Sequence, residues 1–166
     1  MTTPPAEGQT ILVVDDDPAI VTQSGNILKE AGFTVLQATG SSDALKLNKT
    51  HQGTIDLLVT DVVMPPPDFQ LVSGDNEFPH VHGHDLALRM LKMRKGLHIV
   101  LMSANIEKDV AEYGIRRGIL PILQKPFHPQ ALLDQVHQAL QSPPPTVESL
   151  VDAGKGGPKD GDEWFD

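Results

Sequence analysis

The sequence predicts an α/β fold built around a five-stranded parallel sheet. Five short apolar runs, rich in β-branched residues, alternate strictly with five segments whose apolar residues recur at helical spacing. Strand–helix–strand units of this kind form right-handed crossovers, which place the joined strands parallel. The most informative run is 55–65, because it is apolar, carries Asp61 near its end and is stopped by Pro65. Such a run is typical of a central strand that is buried on both faces.

Local residue types set the boundaries of these elements. Asp17 followed by Pro18 predicts a helix start, because the carboxylate can cap free N–H groups and proline loses no hydrogen bond at the first helical position. In the third helix we expect Met93 to face the core. Glycines separate most of the elements. The predicted strands are 11–14, 33–38, 55–61, 97–102 and 119–124, and the predicted helices are 18–31, 41–50, 84–95, 106–117 and 129 to about 141.

Composition limits the classes of function. The chain has 166 residues, no cysteine and a formal net charge of −9. It is long enough to bury a core, and the lack of cysteine excludes disulfides, thiolate nucleophiles and thiolate zinc sites. It has no signal-peptide pattern at its start and no apolar stretch near the ~20 residues that span a bilayer. We expect a soluble, cytoplasmic protein without membrane insertion, whose negative charge disfavours nucleic acid and anionic lipid as partners.

The sequence divides into one folded domain with flexible ends. Residues 1–9 are expected to form a disordered leader, and residues 10–141 the folded domain. Within it, the segment at about 66–81 has no periodic pattern and is expected to be an inserted loop beside Asp61, where loops are often functional or mobile. The acidic tail 142–166 is expected to be disordered, since its composition offers little apolar surface to bury.

Polar side chains follow four of the five predicted strands. Asp15 and Asp16 follow the first strand, Asp61 ends the third, Ser103 ends the fourth and Lys125 follows the fifth. Open α/β sheets bind ligands outside the carboxyl ends of their strands. Clustered carboxylates repel unless a cation neutralises them, and Mg²⁺ commonly binds through one or two carboxylates and a phosphate. The pattern therefore predicts that Asp61 attacks a phosphoryl group in line, with Ser103 and Lys125 donating to its oxygens.

Taken together, these motifs resemble the receiver domain of bacterial two-component response regulators, similar to the single-domain chemotaxis type. The resemblance extends over residues 10 to about 141 and is specific because the motifs occur in this order at these strand ends. It implies a doubly wound, flavodoxin-like (βα)5 fold with the strand order 2-1-3-4-5. The matching motifs are 11–18, 56–65, Gly83 before the third helix, Ser103–Ala104, and Gly118 through Lys125-Pro126-Phe127.

The resemblance also implies a function and its partners. Asp61 would accept a phosphoryl group from a phosphohistidine on a histidine kinase or histidine phosphotransfer protein. The phosphorylated domain would then signal to an unidentified downstream protein through a protein–protein interaction. Such a domain is a self-catalysed phosphoacceptor and not a turnover enzyme.

Further site roles follow from the same resemblance. Asp16 and Asp61 would ligate Mg²⁺ directly, together with the backbone carbonyl of Val63, and Asp15 would hold the ion through water. Ser103 would be the switch hydroxyl that moves toward the phosphate. Lys125 would pair with the phosphate, and the peptide bond that follows it, Lys125–Pro126, is expected to be cis.

Three features depart from the family pattern. Position 122, where the family carries an aromatic switch residue, is Ile122, so the output surface is expected to be read differently. The connection from Pro65 to Gly83 is much longer than the short turn of the family and could gate the phosphodonor or bind a partner. No DNA-binding or catalytic output domain is expected after residue 141, because the remaining tail is too short.

Other interpretations remain open for the function and for two motifs. The chain could be a non-phosphorylated scaffold, or an aspartate-nucleophile phosphatase of the haloacid dehalogenase kind, although Pro18 fits that motif poorly. His80, His82 and His84 alternate, so in an extended segment their rings would point to one side, as in a zinc or nickel site. We prefer solvated loop histidines, since the chain has no cysteine and lacks a fourth ligand at motif spacing. The pair Trp164–Phe165 in the acidic tail could anchor a recognition motif.

Overall fold

A computed structural model describes residues 9–65, 78–115 and 118–154 of the chain. Strands and helices alternate through the described residues, and a sixth helix follows the fifth. The strands are β1 (Thr10–Val14), β2 (Thr34–Ala38), β3 (Leu57–Asp61), β4 (His98–Ser103) and β5 (Ile122–Gln124). The helices are α1 (Pro18–Glu30), α2 (Ser41–Thr50), α3 (Gly83–Met93), α4 (Ile106–Tyr113), α5 (Pro129–Gln141) and α6 (Val147–Gly154). None of the helices in these described ranges is long and apolar enough to cross a membrane.

The five strands form one parallel sheet in the order β2-β1-β3-β4-β5. This confirms both the predicted parallel sheet and the predicted strand order. β3 lies at the centre, where its last residue, Asp61, is in register with Met102 of β4. Because all strands run the same way, their carboxyl ends meet at one edge, and that edge holds the candidate site.

Alternating residues of each central strand fill two cores, one on each face of the sheet. In β1, Ile11 and Val13 pack with side chains of α1 and α5, whereas Leu12 and Val14 pack with side chains of α2 and α3. All five residues of β3 are buried. The near-continuous apolar runs are therefore explained by helices that cover both faces of the sheet.

Several helix boundaries differ from the prediction. The start of α1 is as predicted, since the Asp17 carboxylate accepts a hydrogen bond from the Ala19 N–H at 3.0 Å. α4 ends at Tyr113 instead of residue 117, because Gly114 adopts φ +66° and terminates the helix. The prediction that Met93 faces the core was wrong. Met93 is the last residue of α3 and is 58% exposed, and its sulfur accepts a hydrogen bond from Asn48 at 3.1 Å.

The prediction of a disordered tail from residue 142 was wrong for residues 147–154, which form α6. Leu150 is 5% exposed and belongs to the core cluster beneath α3. Thr146 and Ser149 cap the helix reciprocally, each side-chain oxygen accepting the other residue's backbone N–H. The average composition of the tail concealed this short amphipathic segment. Residues 155–166, including Trp164–Phe165, lie outside the described residues, as do 1–8 and 66–77.

Gly83 connects the helix α3 tightly to the acceptor strand. Its N–H donates to the Val62 carbonyl at 2.9 Å, and a Cβ at this position would lie 1.9 Å from the Asp61 carbonyl oxygen. A side chain can fit only if the backbone of Asp61 moves.

We expect Gly83→Ala to destabilise the protein by about 2 kcal/mol, because this overpacking forces a backbone shift beside β3. Urea unfolding measures the change. Gly40→Ala is the matched control, since a Cβ at Gly40 meets no atom within 4 Å, and it should cost less than about 1 kcal/mol. Equal losses for the two variants would contradict this interpretation.

Candidate active site

The strand ends bring three carboxylates and one ammonium group together. Carboxylate oxygens of Asp15, Asp16 and Asp61 all lie within 4.8 Å of one another. The Lys125 Nζ donates to Asp15 Oδ2 at 2.9 Å and lies 3.3 Å from Asp61 Oδ2. Asp15 is fully buried and Asp61 is 6% exposed, whereas Asp16 is exposed. Residues separated by up to 110 positions thus form one charged cluster, as the sequence predicted.

Local hydrogen bonds hold this cluster in place. The Asp17 N–H donates to Asp15 Oδ1 at 2.9 Å, which fixes the Asp15 carboxylate at the end of β1. The Lys125 N–H donates to the Ser103 carbonyl at 2.8 Å and so ties the end of β5 to β4. The peptide bond Lys125–Pro126 is cis, as predicted from the resemblance.

Burial and mutual repulsion disfavour the charged forms of the carboxylates. Burial, followed by the negative charge of Asp15, raises the pKa of Asp61 to about 7, although Lys125 opposes the shift. Burial also raises the pKa of Asp15 above its ordinary value, against the hydrogen bonds from Asp17 and Lys125. Burial lowers the pKa of Lys125, but hydrogen bonds and charges from Asp15 and Asp61 outweigh it and raise the net value. The cluster therefore holds more negative charge than one lysine compensates.

This donor set fits a hard divalent cation. Three carboxylates supply oxygen ligands only, and one of them, Asp16, is open to solvent and could admit an ion that keeps part of its hydration shell. Within the described ranges 9–65, 78–115 and 118–154, this is the one group of three close His or acidic side chains. Val63, two positions after Asp61, is half-buried at the same edge of the sheet. These residues suit Mg²⁺ better than a soft metal.

Ser103 lies at the predicted strand end, but its hydroxyl has a partner that was not predicted from the sequence. The Ser103 Oγ donates to Asp109 Oδ2 at 2.5 Å and accepts the Asn105 N–H at 3.0 Å. Asp109 lies in the first turn of α4 and is 6% exposed. An acidic residue in a first helical turn is usually explained by the helix dipole alone, so its burial could not be predicted from the local pattern.

Ile122, the predicted switch position, begins β5. It is half-buried, is in register with Leu101 of β4 and packs against the core cluster on the α2 and α3 side of the sheet. An aliphatic residue here adds apolar contact and no hydrogen-bonding group. The roles assigned to Ser103 and Ile122 as switch residues stay predictions.

Two histidines shortly before α3 hold the backbone near Asp61. The His82 Nδ1 accepts the Met64 N–H at 3.0 Å, and the His80 Nε2 contacts the Met64 carbonyl oxygen. The Ser41 Oγ accepts the N–H of Val81, between them, at 2.8 Å. Both histidines are half-buried, so the prediction of solvated loop histidines was wrong for them.

His84 has a different environment. It lies in the first turn of α3, it is half-buried, and burial lowers its pKa. Its Nδ1 has no hydrogen-bond partner among the residues that the structure describes. No group of three potential metal ligands within the described part of the chain includes a histidine, so the metal-site alternative gains no support.

Comparisons with known proteins agree with this geometry. Residues 11–68 match the family model described as the response regulator receiver domain. The chain is 37% identical over 146 residues to the DNA-binding transcriptional regulator NtrC of Bradyrhizobium sp. (strain RP501 Parasponia), and 36% identical over 146 residues to NtrC of Azospirillum brasilense. Each match covers 88% of this chain, but the chain spans only 27% of the length of either relative.

Solved structures show the same fold. The response regulator receiver protein from Sinorhizobium medicae WSM419 superposes with a TM-score of 0.64 at 26% identity, covering 82% of this chain and 97% of that one. The receiver domain protein from Clostridium thermocellum gives a TM-score of 0.62 at 23% identity, covering 80% and 94%. Sequence match, strand order and the acidic cluster at the strand ends together identify this chain as one that carries a response regulator receiver domain.

Proposed function

We propose that Asp61 accepts a phosphoryl group from a phosphohistidine of a histidine kinase or histidine phosphotransfer protein. Accepting a phosphoryl group is the function of the receiver family. In this chain the observation that carries the proposal is the position of Asp61, nearly buried, 3.3 Å from the Lys125 ammonium and beside Asp15 and Asp16. This arrangement supports Asp61 as the nucleophile, Asp15 and Asp16 as the cation-binding pair and Lys125 as the compensating ammonium group.

The reaction is an in-line displacement at phosphorus. A carboxylate oxygen of Asp61 forms the new P–O bond as the P–N bond to the donor imidazole breaks, and the imidazole leaves with the electron pair and takes up a proton. Lys125 stabilises the charge on the transferred phosphoryl oxygens, and the Ser103 hydroxyl donates to one of them. Mg²⁺, held by Asp16 and Asp61 with the Val63 carbonyl and through water by Asp15, would neutralise the incoming phosphoryl charge.

The proposed output is a change of surface that a downstream protein recognises, without turnover of a substrate. A covalent phosphoryl group adds charge at the site and shifts a conformational equilibrium, which alters the faces of neighbouring elements. The domain is therefore a self-catalysed phosphoacceptor and not a turnover enzyme. A non-phosphorylated scaffold is the second candidate, and the intact acidic cluster argues against it.

Finer statements about the whole protein stay predictions. The curated relatives are named as DNA-binding regulators, and the chain spans about a quarter of their length. Their similarity does not support the prediction of a single-domain protein of the chemotaxis type. Two further predictions are kept. The net charge of −9 predicts that the chain does not contact nucleic acid, and a cytoplasmic location is expected.

The proposal is tested by incubating the protein with Mg²⁺ and acetyl phosphate and locating the modified residue by mass spectrometry. We expect one hydroxylamine-labile phosphoryl group on Asp61. Acetate then replaces imidazole as the leaving group. Continuous release of inorganic phosphate over many fast turnovers would favour a phosphatase, and a protein that stays unmodified with acetyl phosphate and with a phosphorylated kinase would favour the scaffold.

A further inference from the structure

Asp109 forms the main buried attachment of α4 to the sheet. It is the one buried residue of the helix, which spans Ile106–Tyr113 and lies entirely within the described residues. Its carboxylate accepts the Ser103 hydroxyl at 2.5 Å, and Ser103 is fully buried at the end of β4. The larger apolar side chains of α4, those of Ile106, Val110 and Tyr113, are only half-buried. A polar contact therefore anchors this helix where other helices use a buried apolar residue.

The Ser103 hydroxyl cannot serve Asp109 and a phosphoryl group together. A hydroxyl has one proton to donate, and here that proton is directed to Asp109 Oδ2. One of its lone pairs is already used, because Ser103 Oγ accepts the Asn105 N–H. Donation to an oxygen of a phosphoryl group on Asp61 therefore requires that the bond to Asp109 break.

We propose that Asp109 is a positioning residue that withholds the Ser103 proton from Asp61 in the unphosphorylated protein and transmits its release to α4. The inference rests on the proposed phosphoacceptor function and names the residue that couples it to a helix. Phosphorylation on Asp61 offers Ser103 a stronger acceptor, so the hydroxyl turns toward the phosphoryl group and Asp109 loses its partner.

The loss of that partner displaces the helix. A carboxylate that is 6% exposed and has lost its hydrogen bond is costly to keep buried, so it must move toward water. Asp109 sits in the first turn, where its N–H donates to the Asn105 carbonyl at 3.0 Å and the Asn105 side chain accepts the Lys108 N–H at 3.2 Å. Movement of Asp109 therefore shifts the capped start of α4, and the exposed face of this helix becomes the surface that reports phosphorylation.

The test compares Asp109→Ala and Asp109→Asn with the wild type, and it repeats the comparison in proteins that also carry Ser103→Ala. The probe is beryllium fluoride with Mg²⁺, which mimics the phosphoryl group on an aspartate, and binding is followed through the NMR signals of α4 amides. Asp109→Ala should lower the concentration of beryllium fluoride that half-saturates the protein about tenfold, because the acceptor that competes for the Ser103 proton is gone. Asp109→Asn should give a smaller gain, since its amide oxygen is a weaker acceptor that preserves the shape of the side chain.

Ser103→Ala separates this coupling from a general structural effect. In that background, Asp109→Ala should change binding by less than about twofold, because the two side chains act through one hydrogen bond. In the metal-free, unmodified protein, Asp109→Ala should also speed amide hydrogen exchange in α4 about tenfold. Glu112→Gln, which removes an exposed charge from the same helix, is the matched control and should change neither quantity.

Three outcomes would overturn the inference. The first is unchanged or weaker binding of beryllium fluoride in both Asp109 variants. The second is an equal gain in binding with Ser103 and with Ser103→Ala, and the third is an unaltered rate of amide hydrogen exchange in α4. Each can be observed while the wild type still takes a phosphoryl group on Asp61, in which case the proposed function stands. If the wild type neither binds the probe nor reacts with acetyl phosphate, the proposed function fails and the inference fails with it.

Discussion

Asp61→Asn is expected to reduce phosphoryl incorporation to an undetectable level while it stabilises the metal-free protein. The amide of asparagine is not a nucleophile toward phosphorus, and the other buried carboxylate of the cluster, Asp15, is held by Lys125 at 2.9 Å and by the Asp17 N–H at 2.9 Å. Acetyl phosphate labelling followed by mass spectrometry measures the loss. Asp134→Asn, which neutralises an exposed carboxylate on α5, is the matched control and should be labelled like the wild type.

The gain in stability follows from the raised pKa of Asp61. In the folded protein this pKa is about 7, against an ordinary value of 3.8, so the folded state retains a proton that the unfolded state has released. Stability from this group is fully present below about pH 4, falls as the pH rises toward 7, and stays low above 7. Asparagine carries no such penalty. We expect the variant to be more stable at pH 8 by roughly 2–4 kcal/mol.

Urea unfolding without Mg²⁺ at pH 4.5 and pH 8 tests this sign. The difference between Asp61→Asn and the wild type should be small at the lower pH and large at the higher one. Mg²⁺ should stabilise the wild type more than the variant, because the variant loses one carboxylate ligand. A variant that is less stable than the wild type at pH 8 would show that the Asp61 charge is already compensated.

Lys125→Met is expected to impair both activity and stability. The side chain keeps its apolar length but loses the ammonium that contacts Asp15 at 2.9 Å and Asp61 at 3.3 Å. Phosphoryl incorporation should fall about 100-fold, because the reaction loses a preorganised positive group at the transferred phosphoryl oxygens. The metal-free protein should lose about 3 kcal/mol at pH 8, because the fully buried Asp15 carboxylate is left without its countercharge.

Lys92→Met is the control for this experiment, since Lys92 is an exposed lysine on α3. Initial labelling rates and urea unfolding should match the wild type for that variant. Combining Lys125→Met with Asp61→Asn should cost less stability than Lys125→Met alone, because the remaining cluster then carries one fewer negative charge. A Lys125→Met protein that incorporates phosphate within about threefold of the wild-type rate would remove Lys125 from the mechanism.

Substitutions of Asp61 and Lys125, which contact each other, are expected to change stability in opposite directions. Asp61 is a buried charge that the metal-free fold tolerates at a cost, whereas Lys125 offsets that cost. An excess of negative charge is useful if a divalent cation completes the site. The same excess of negative charge lowers the stability of the metal-free protein, so the residues needed for activity are not those that would make the fold most stable.

The alternation of apolar runs was sufficient to predict the sheet and the meeting of Asp15, Asp61 and Lys125. Parallel strands must end at one edge, so a polar residue at a strand end is placed by topology and not by its neighbours in sequence. Helix ends were predicted less well. Met93 lies at the final turn of α3, where a residue at core spacing can already point into solvent. Helix α4 was predicted to end before Gly118, but Gly114 terminates it four residues earlier.

Sequence periodicity determined the order of the elements, the parallel sheet and the identity of the acidic cluster, because each depends on spacing along the chain. Tertiary structure alone decided the partners of Ser103, His80 and His82, and the attachment of α6 through Leu150. These contacts join side chains to groups on other elements, and their formation depends on distances in space that no local pattern encodes. Hydrogen bonds to buried carboxylates and backbone groups form only after the sheet has brought those elements together.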